Sequence, residues 1–268
     1  MSRGGPGAIV GRLTVLIIAH RGASAEAAEN TFATFDRAVA LGAGMIECDV
    51  HQSRDGQPVI LHDFTLRRTA GLRRHVRSLT LAELRQCDVG RWFHPRYAGE
   101  RIPTLMEVLA HLKGRVQINL EIKRGSPYYP QIEERVVRAV EAAGAIATTL
   151  ISSFDGAAMR RVRAASRRVR LGVLVTRGGL GAIRQAVALK AVTLHVSARG
   201  ITPRLLAQAH AAGLLVYLYT VDRELEMRRL VLMGADGLFT NHPERLAGVL
   251  ADLRSKIPLA SGKRPLVQ

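Results

Sequence analysis

Short apolar runs alternate along the chain with longer stretches in which apolar residues recur at helical spacing. The apolar runs predict eight strands, at residues 14–19, 44–49, 116–122, 147–152, 170–175, 191–196, 214–219 and 236–239. The stretches between them predict helices at residues 30–41, 104–112, 130–143, 155–166, 179–189, 202–212, 222–233 and 243–254. Because the strands are too apolar to leave one face in water, we expect a parallel sheet covered by helices. This alternation predicts an α/β fold that closes into a (β/α)₈ TIM barrel.

Two segments interrupt the alternation. "PVILHD" at residues 58–63 follows the turn signal Asp55-Gly56 and predicts an extra strand or hairpin arm outside the barrel. Residues 64–103 contain arginine-rich loops and a predicted short helix at residues 80–87. We therefore expect residues 64–103 to form a small insertion.

The ends of the chain differ in composition from the rest. Residues 1–12 and 255–268 are rich in glycine, proline and basic side chains, which predicts flexible tails. The remaining residues, 13–254, have the length of one barrel with its insertion. We expect them to form a single catalytic domain.

Polar side chains are concentrated where predicted strands end. Glu47 and Asp49 point to the same face of their strand because side chains alternate, and the same spacing puts Glu121 and Lys123 on one face of another. His20 ends the first strand. His62 follows the apolar run "PVIL". Active sites of TIM barrels are built at this carboxyl-terminal rim, so we expect these side chains to converge there.

Three converging carboxylates repel one another unless a cation holds them together. Oxygen ligands of this kind suit a hard divalent ion, which predicts one Mg²⁺ or Ca²⁺ bound by Glu47, Asp49 and Glu121. Zinc is disfavoured because it prefers cysteine and histidine ligands. The alternative is a buried ion network in which Arg21 and Lys123 neutralise the acids without a metal.

The histidines and Arg21 extend this prediction to a reaction. Two rim histidines beside an acidic site suit general acid–base catalysis, since histidine titrates near neutral pH. The planar guanidinium of Arg21 suits bidentate binding of phosphate, although a surface ion pair is the simpler interpretation of a single arginine. Together they favour a small phosphodiester as substrate.

Charge and composition restrict the partners. The formal net charge is +17, and only five of the 39 basic residues are lysine. Such a surface attracts anions, which includes peripheral contact with an anionic membrane, and it is also typical of a solvated basic surface. We expect no specific nucleic-acid partner because no such motif is present and aromatic residues make up 4%. Two cysteines and no membrane-length apolar run predict a cytoplasmic protein with reduced thiols.

Residues 17–71 contain "AHRG", "ENT", "IECD", "DG" and "LHDFTLRRTAG", in that order. This succession resembles the opening of the glycerophosphodiester phosphodiesterase family, and the resemblance continues through "NLEIK", "SSFD" and "GADGLFTNHP" to about residue 250. It implies a (β/α)₈ barrel with a small insertion after the His-Asp motif. It also implies that Glu47, Asp49 and Glu121 bind the metal, that His20 and His62 are the acid–base pair, and that Arg21 and Lys123 contact phosphate.

Three positions depart from the family pattern. Ala28 replaces the proline of Pro-Glu-Asn-Thr. Where the family has Trp-Thr-Val-Asn, this chain has Tyr219-Thr220-Val221-Asp222, so a phenol is expected to line the substrate side of the site. Where the family commonly has Thr-Asp-x-Pro, this chain has "TNHP", with Asn241 in place of the carboxylate.

The resulting hypothesis is metal-dependent hydrolysis of glycerophosphodiesters to glycerol phosphate and an alcohol. One alternative is a lysophospholipase D type of reaction at the same site, favoured by the apolar side chains of Trp92 and Phe93 in the insertion. A second alternative, from a different class, is a non-catalytic basic barrel that binds phospholipid headgroups or polyanions. The paired histidines argue against it, because binding alone needs no acid–base pair.

Overall fold

A computed structural model describes residues 14–256 of the chain and shows a closed parallel barrel. The nine strands are β1 Leu16–His20, β2 Met45–Gln52, β3 Pro58–Ile60, β4 Gln117–Ile122, β5 Thr149–Ser153, β6 Arg170–Val175, β7 Thr193–Ser197, β8 Leu215–Tyr219 and β9 Gly237–Thr240. β1 pairs in parallel with both β9 and β2, and this pairing closes the barrel. β3 pairs antiparallel with the end of β2 and lies outside the barrel, as the turn at Asp55-Gly56 predicts.

Long helices follow the barrel strands and cover their outer face, and two short helices, the second and third along the chain, lie in the insertion. They are α1 Phe32–Ala40, α2 Arg67–Ala70, α3 Leu81–Leu84, α4 Leu105–Leu112, α5 Ile132–Ala142, α6 Gly156–Ala165, α7 Leu180–Ala188, α8 Pro203–Ala211, α9 Glu224–Met233 and α10 Pro243–Lys256. The start of α4 is fixed by a capping box, in which Thr104 and Glu107 exchange hydrogen bonds with each other's backbone amides.

The predicted barrel is confirmed, with each predicted strand and long helix present within a few residues of its expected bounds. The short helix expected at residues 80–87 is limited to Leu81–Leu84. At the carboxyl terminus, α10 continues through Lys256, so the predicted tail boundary at 255 falls inside a helix. The amino-terminal tail and residues 257–268 lie outside the described residues.

Side-chain alternation along the strands separates two apolar layers. The apolar cluster inside the barrel consists of Ile18, Met45, Leu150, Tyr217 and Phe239. The larger layer lies between the strands and the helices, and it contains the outward-facing Cys48. Glu47 and Asp49, on the opposite face of the same strand, are thereby turned into the barrel mouth.

The insertion has an apolar cluster of its own. Leu66, Val76, Leu84 and Ile102 pack together beneath its loops, in contact with Val59 of β3. This cluster holds the insertion against the hairpin that precedes it, on the side of the barrel where His62 lies. Among residues 14–256, no helix has both the length and the apolar character needed to cross a membrane.

Candidate active site

An acidic cluster lies inside the barrel mouth. Glu47, Asp49 and Glu121 each offer a carboxylate oxygen within 4.8 Å of the others. Burial, and then the charge of Asp49, raises the pKa of both Glu47 and Glu121. The cluster is therefore a group of carboxylates whose ionisation depends on nearby cations.

Two cationic side chains contact the cluster. The Lys123 ammonium lies 2.8 Å from Oε1 of Glu121 and 3.1 Å from Oδ1 of Asp49, and Nε of Arg21 lies 3.4 Å from Oδ2 of Asp49. Burial opposes the ionisation of Asp49, but these two cations together hold its pKa well below the usual range. The buried ion network considered from the sequence is thus present, with Lys123 bound to the acids.

The structure supports a metal site on the same carboxylates. Oε1 of Glu47 is buried and has no hydrogen-bond partner among the described residues. Its other oxygen, Oε2, accepts a hydrogen bond from the backbone amide of Arg21 at 2.9 Å. A buried carboxylate oxygen without a donor, beside two further carboxylates, fits the oxygen preference of Mg²⁺ and Ca²⁺.

The loop after β1 shapes one wall of the site. Arg21 has φ of 57°, in the left-handed region, and this conformation turns its amide towards Glu47. Gly22 follows with φ of 88°, and a Cβ there would lie 2.4 Å from Cγ2 of Thr34. The His-Arg-Gly motif therefore has a steric basis, because only glycine fits between the loop and α1.

Asn30 is a site residue that reasoning from the sequence missed. Its Nδ2 donates to Oδ2 of Asp49 at 2.9 Å, and its Oδ1 accepts from the Asp49 amide at 3.3 Å. This double contact fixes the orientation of the buried Asp49 carboxylate. The only signal in the sequence is its place in the Glu-Asn-Thr motif, whose contacts the spacing does not predict.

His20 lies at the carboxyl end of β1 and is half-buried in the barrel mouth. Its Nδ1 lies 2.8 Å from Oδ1 of Asn241, in the turn after β9. Burial, and then the charge of Arg21, lowers the pKa of His20 to about 4. The imidazole is therefore neutral near physiological pH and has a ring nitrogen able to accept a proton.

His62 is held by a neighbouring carboxylate. Its Nδ1 lies 2.7 Å from Oδ1 of Asp63, and its backbone carbonyl lies 2.9 Å from Nε2 of the buried His51. Burial lowers the pKa of His62, while the charge of Asp49 and the contact with Asp63 oppose this effect. Each of the two histidines thus has its Nδ1 hydrogen-bonded and its Nε2 left for other contacts.

Arg68 connects the insertion to the site. Its guanidinium binds Asp63 and forms two hydrogen bonds with Glu29, which in turn binds Arg21. The same guanidinium lies 4.9 Å above the ring of Trp92. Trp92, an apolar residue of the insertion, therefore contacts the edge of the site through Arg68.

One cavity of about 200 Å³ lies among the carboxylates, the two histidines and the two cationic side chains of the site. It contains all of the site residues expected from the sequence, namely His20, Arg21, Glu47, Asp49, His62, Glu121, Lys123 and Tyr219. Phe154 also lines it, 49% exposed, with its ring 5.9 Å from that of Tyr219 in an edge-on arrangement. Phe154 belongs to the "SSFD" motif of the family resemblance, but reasoning from the sequence gave it no role in the site.

A closed (β/α)₈ barrel with carboxylates and two histidines at its carboxyl-terminal mouth defines the class of TIM-barrel enzymes. The sequence pattern of the glycerophosphoryl diester phosphodiesterase family matches residues 20–245. A glycerophosphodiester phosphodiesterase of Caldanaerobacter subterraneus subsp. tengcongensis is 36% identical over 239 residues, which cover 89% of this chain and 98% of that protein. The chain therefore belongs to the glycerophosphoryl diester phosphodiesterase family.

Solved structures share the fold over most of their length. A phosphodiesterase of Oleispira antarctica, in complex with the product sn-glycerol-3-phosphate, has a TM-score of 0.80 at 29% identity and covers 88% of this chain and 96% of its own. A glycerophosphodiester phosphodiesterase of Agrobacterium tumefaciens has a TM-score of 0.78 at 26% identity, with coverage of 87% and 99%. The barrel fold is thus shared with enzymes of this family.

Proposed function

We propose that this protein hydrolyses glycerophosphodiesters to glycerol phosphate and an alcohol, with a divalent cation bound by Glu47, Asp49 and Glu121. The observation that carries the proposal is the single cavity in which these carboxylates meet His20 and His62. Family membership and the product bound to the Oleispira antarctica relative support the substrate class.

The bound cation, Mg²⁺ or Ca²⁺, would neutralise charge that develops on the phosphoryl oxygens. Side chains of the protein supply the proton transfers and the phosphate contact. One histidine takes a proton from the attacking water as its oxygen bonds to phosphorus, and the other gives a proton to the alcohol oxygen as its bond to phosphorus breaks. Arg21, which lines the cavity, binds a phosphate oxygen.

Lys123 has two roles in this proposal. Without a cation it neutralises Asp49 and Glu121, to which it is bound. When a divalent cation supplies that charge instead, the ammonium is available to a phosphate oxygen in the same cavity.

The alternative substrate is a lysophospholipid, cleaved in a lysophospholipase D type of reaction at the same site. The exposed ring of Phe154 at the cavity and that of Trp92 beside Arg68 favour it, because both could contact an acyl chain. Glycerophosphocholine and lysophosphatidylcholine differ by that chain alone. The ratio of kcat/KM for the two substrates distinguishes these functions.

The test is hydrolysis of glycerophosphocholine by the purified protein with Mg²⁺, with Ca²⁺ and with chelator. We expect release of sn-glycerol-3-phosphate that stops in chelator and returns with metal. Binding of glycerophosphocholine without turnover under all of these conditions would instead establish the non-catalytic alternative. His75→Ala is a suitable control, since His75 is exposed on the insertion.

Peripheral contact with anionic membranes is a further proposal, supported by the net charge of +17. A cytoplasmic location is proposed separately, on the small number of cysteines. Sedimentation of the protein with vesicles of phosphatidylglycerol, at low and at high salt, tests the membrane contact. We expect binding at low salt that is lost at high salt, because surface charge is screened. Equal recovery with neutral phosphatidylcholine vesicles would contradict it.

A further inference from the structure

Asn241 lies between His20 and a second polar residue, Asp222. Its Oδ1 lies 2.8 Å from Nδ1 of His20, and its Nδ2 lies 2.7 Å from Oδ2 of Asp222. Oδ1 of Asp222 also accepts hydrogen bonds from the backbone amide of Asn241 at 2.9 Å and from the Thr240 hydroxyl at 3.1 Å. The three side chains of His20, Asn241 and Asp222 therefore form a continuous chain of hydrogen bonds.

The donors in this chain can be assigned from chemistry. The oxygens of an aspartate carboxylate only accept hydrogen bonds, so the side-chain nitrogen of Asn241, and not its side-chain oxygen, must face Asp222. The amide oxygen then faces His20, and an amide oxygen only accepts. Nδ1 of His20 must therefore carry the proton. Its Nε2 has no hydrogen-bond partner within residues 14–256 and is the ring nitrogen with the free lone pair.

We propose that Asn241, oriented by Asp222, is a positioning residue that fixes His20 in the Nδ1–H tautomer and leaves Nε2 as the general base. This inference rests on the proposed hydrolysis. Nε2 takes a proton from the attacking water, whose oxygen bonds to phosphorus while the bond from phosphorus to the alcohol oxygen breaks. The proton for that alcohol oxygen comes from His62, whose imidazolium form the Asp63 carboxylate stabilises.

Two departures from the family pattern meet in this contact. Residue 222 is aspartate where the family has asparagine, and residue 241 is asparagine where the family commonly has aspartate. The structure places their side chains 2.7 Å apart, so the carboxylate and the amide have exchanged positions within one pair. The exchange preserves the hydrogen bond between the two positions but places a neutral group, rather than a charged one, against His20.

The other charged groups around His20 do not replace this contact. Arg21 and His62 disfavour the imidazolium form and Asp49 favours it, but none of them is hydrogen-bonded to its ring. The Ser24 hydroxyl lies 2.8 Å from both Oδ1 of Asn241 and the backbone carbonyl of His20, and it can donate its one proton to either of them. The tautomer of His20 is thus set by Asn241 alone among the described residues.

The test compares Asp222→Asn, Asn241→Leu and the double variant Asp222→Asn/Asn241→Asp with the wild type. In Asp222→Asn the partner no longer determines which way the Asn241 amide points, and we expect kcat to fall about 10-fold. In Asn241→Leu we expect a fall of about 10²-fold, the low end of a general base's contribution. The double variant restores a carboxylate–amide pair, and we expect it to recover most of kcat. KM should change little in each case.

A second readout does not depend on turnover. The ¹⁵N chemical shifts of the His20 ring, measured in the metal-free protein, report which nitrogen is protonated. We expect a protonated Nδ1 and an unprotonated Nε2 in the wild type, and a mixture of both tautomers in Asp222→Asn. Asp252→Asn makes the same chemical change on α10, away from the cavity, and should leave both the ring shifts and kcat unchanged.

The outcomes separate the two proposals. If the wild type has the Nδ1–H tautomer but hydrolyses no phosphodiester, the positioning by Asn241 holds and the proposed function fails. If hydrolysis is normal and His20 keeps the same tautomer in Asp222→Asn and Asn241→Leu, the positioning role is overturned. A fall in kcat in all three variants, including the double variant, with unchanged ring shifts also overturns it, because the effect is then structural.

Discussion

Tyr219 donates its phenolic hydroxyl to the backbone carbonyl of Val175, at a distance of 2.9 Å. Burial raises the pKa of Tyr219 to about 12, so the hydroxyl remains a donor at any practical pH. The hydroxyl is thus engaged with β6, and the ring itself faces the cavity beside Phe154. The indole expected from the family has no hydroxyl to make this contact.

Tyr219→Trp should therefore alter substrate choice. The larger ring leaves less room on the alcohol side of the cavity, so we expect the kcat/KM ratio between glycerophosphocholine and glycerophosphoethanolamine to change. Tyr219→Phe keeps the ring size and should change that ratio less, at a loss of about 1 kcal/mol in the free energy of unfolding for the missing hydrogen bond. An unchanged ratio with a lower Tm in Tyr219→Trp would show that Tyr219 only fills the barrel wall.

Metal binding should depend on each carboxylate of the acidic cluster. Glu47→Gln, Asp49→Asn and Glu121→Gln each remove a charged oxygen ligand, so we expect weaker Mg²⁺ or Ca²⁺ binding by calorimetry and activity that needs more metal. Glu224→Gln, an exposed position on α9, is the control. Full activity of the wild type after exhaustive chelation would remove the metal from the mechanism.

Loss of either histidine should slow turnover far more than it weakens substrate binding. His20→Ala and His62→Ala each remove a proposed proton-transfer group, and we expect kcat to fall by roughly 10²-fold or more. Circular dichroism and Tm establish that the variants are folded. Near-normal kcat in one variant would exclude that histidine from proton transfer.

Stability should fall in mild acid because of His195, a buried histidine on β7. Burial lowers the pKa of His195 to about 3, against about 6.5 in the unfolded chain. Between about pH 6.5 and about pH 3 the unfolded chain binds a proton at His195 and the folded chain does not. The free energy of unfolding therefore decreases as the pH falls below about 6.5. The contribution is up to about 1.4 kcal/mol per pH unit.

His195→Phe removes this titration while keeping an aromatic ring. We expect its free energy of unfolding, measured in urea at pH 7, 6, 5 and 4, to depend less steeply on pH than that of the wild type. His75→Ala, on the surface, should leave the slope unchanged. Parallel slopes for the wild type and His195→Phe would show that His195 does not titrate on unfolding.

The barrel could be predicted from the sequence because its strands are apolar on both faces and its helices are short and regularly spaced. The carboxylate cluster could also be predicted, since Glu47 and Asp49 are two residues apart on one strand and a closed barrel brings Glu121 beside them. These inferences use only periodicity and the rule that strand ends meet at one rim.

The contacts that orient the site could not be predicted in this way. Asn241 and Asp222 lie in two turns whose approach depends on how β8 and β9 end, and no periodic pattern indicates it. The contact between Tyr219 and Val175 crosses from β8 to β6 and likewise depends on three-dimensional packing. Side-chain hydrogen bonds between turns depend on angles that residue types do not encode.

Lys123→Gln gives a direct test of how the acidic cluster is stabilised without metal. The substitution leaves Asp49 and Glu121 without their shared ammonium partner, so we expect a lower Tm in chelator. Added Mg²⁺ or Ca²⁺ should raise the Tm of this variant more than that of the wild type, because the ion supplies the missing charge. Equal shifts in both proteins would contradict this account.

The ammonium between Asp49 and Glu121 also bears on the order of folding and metal binding under the proposed mechanism. Because this cation neutralises the carboxylates without a metal, the barrel would not need the proposed Mg²⁺ or Ca²⁺ in order to fold. The share of folded chains that carry the ion would then follow the concentration of free divalent cation.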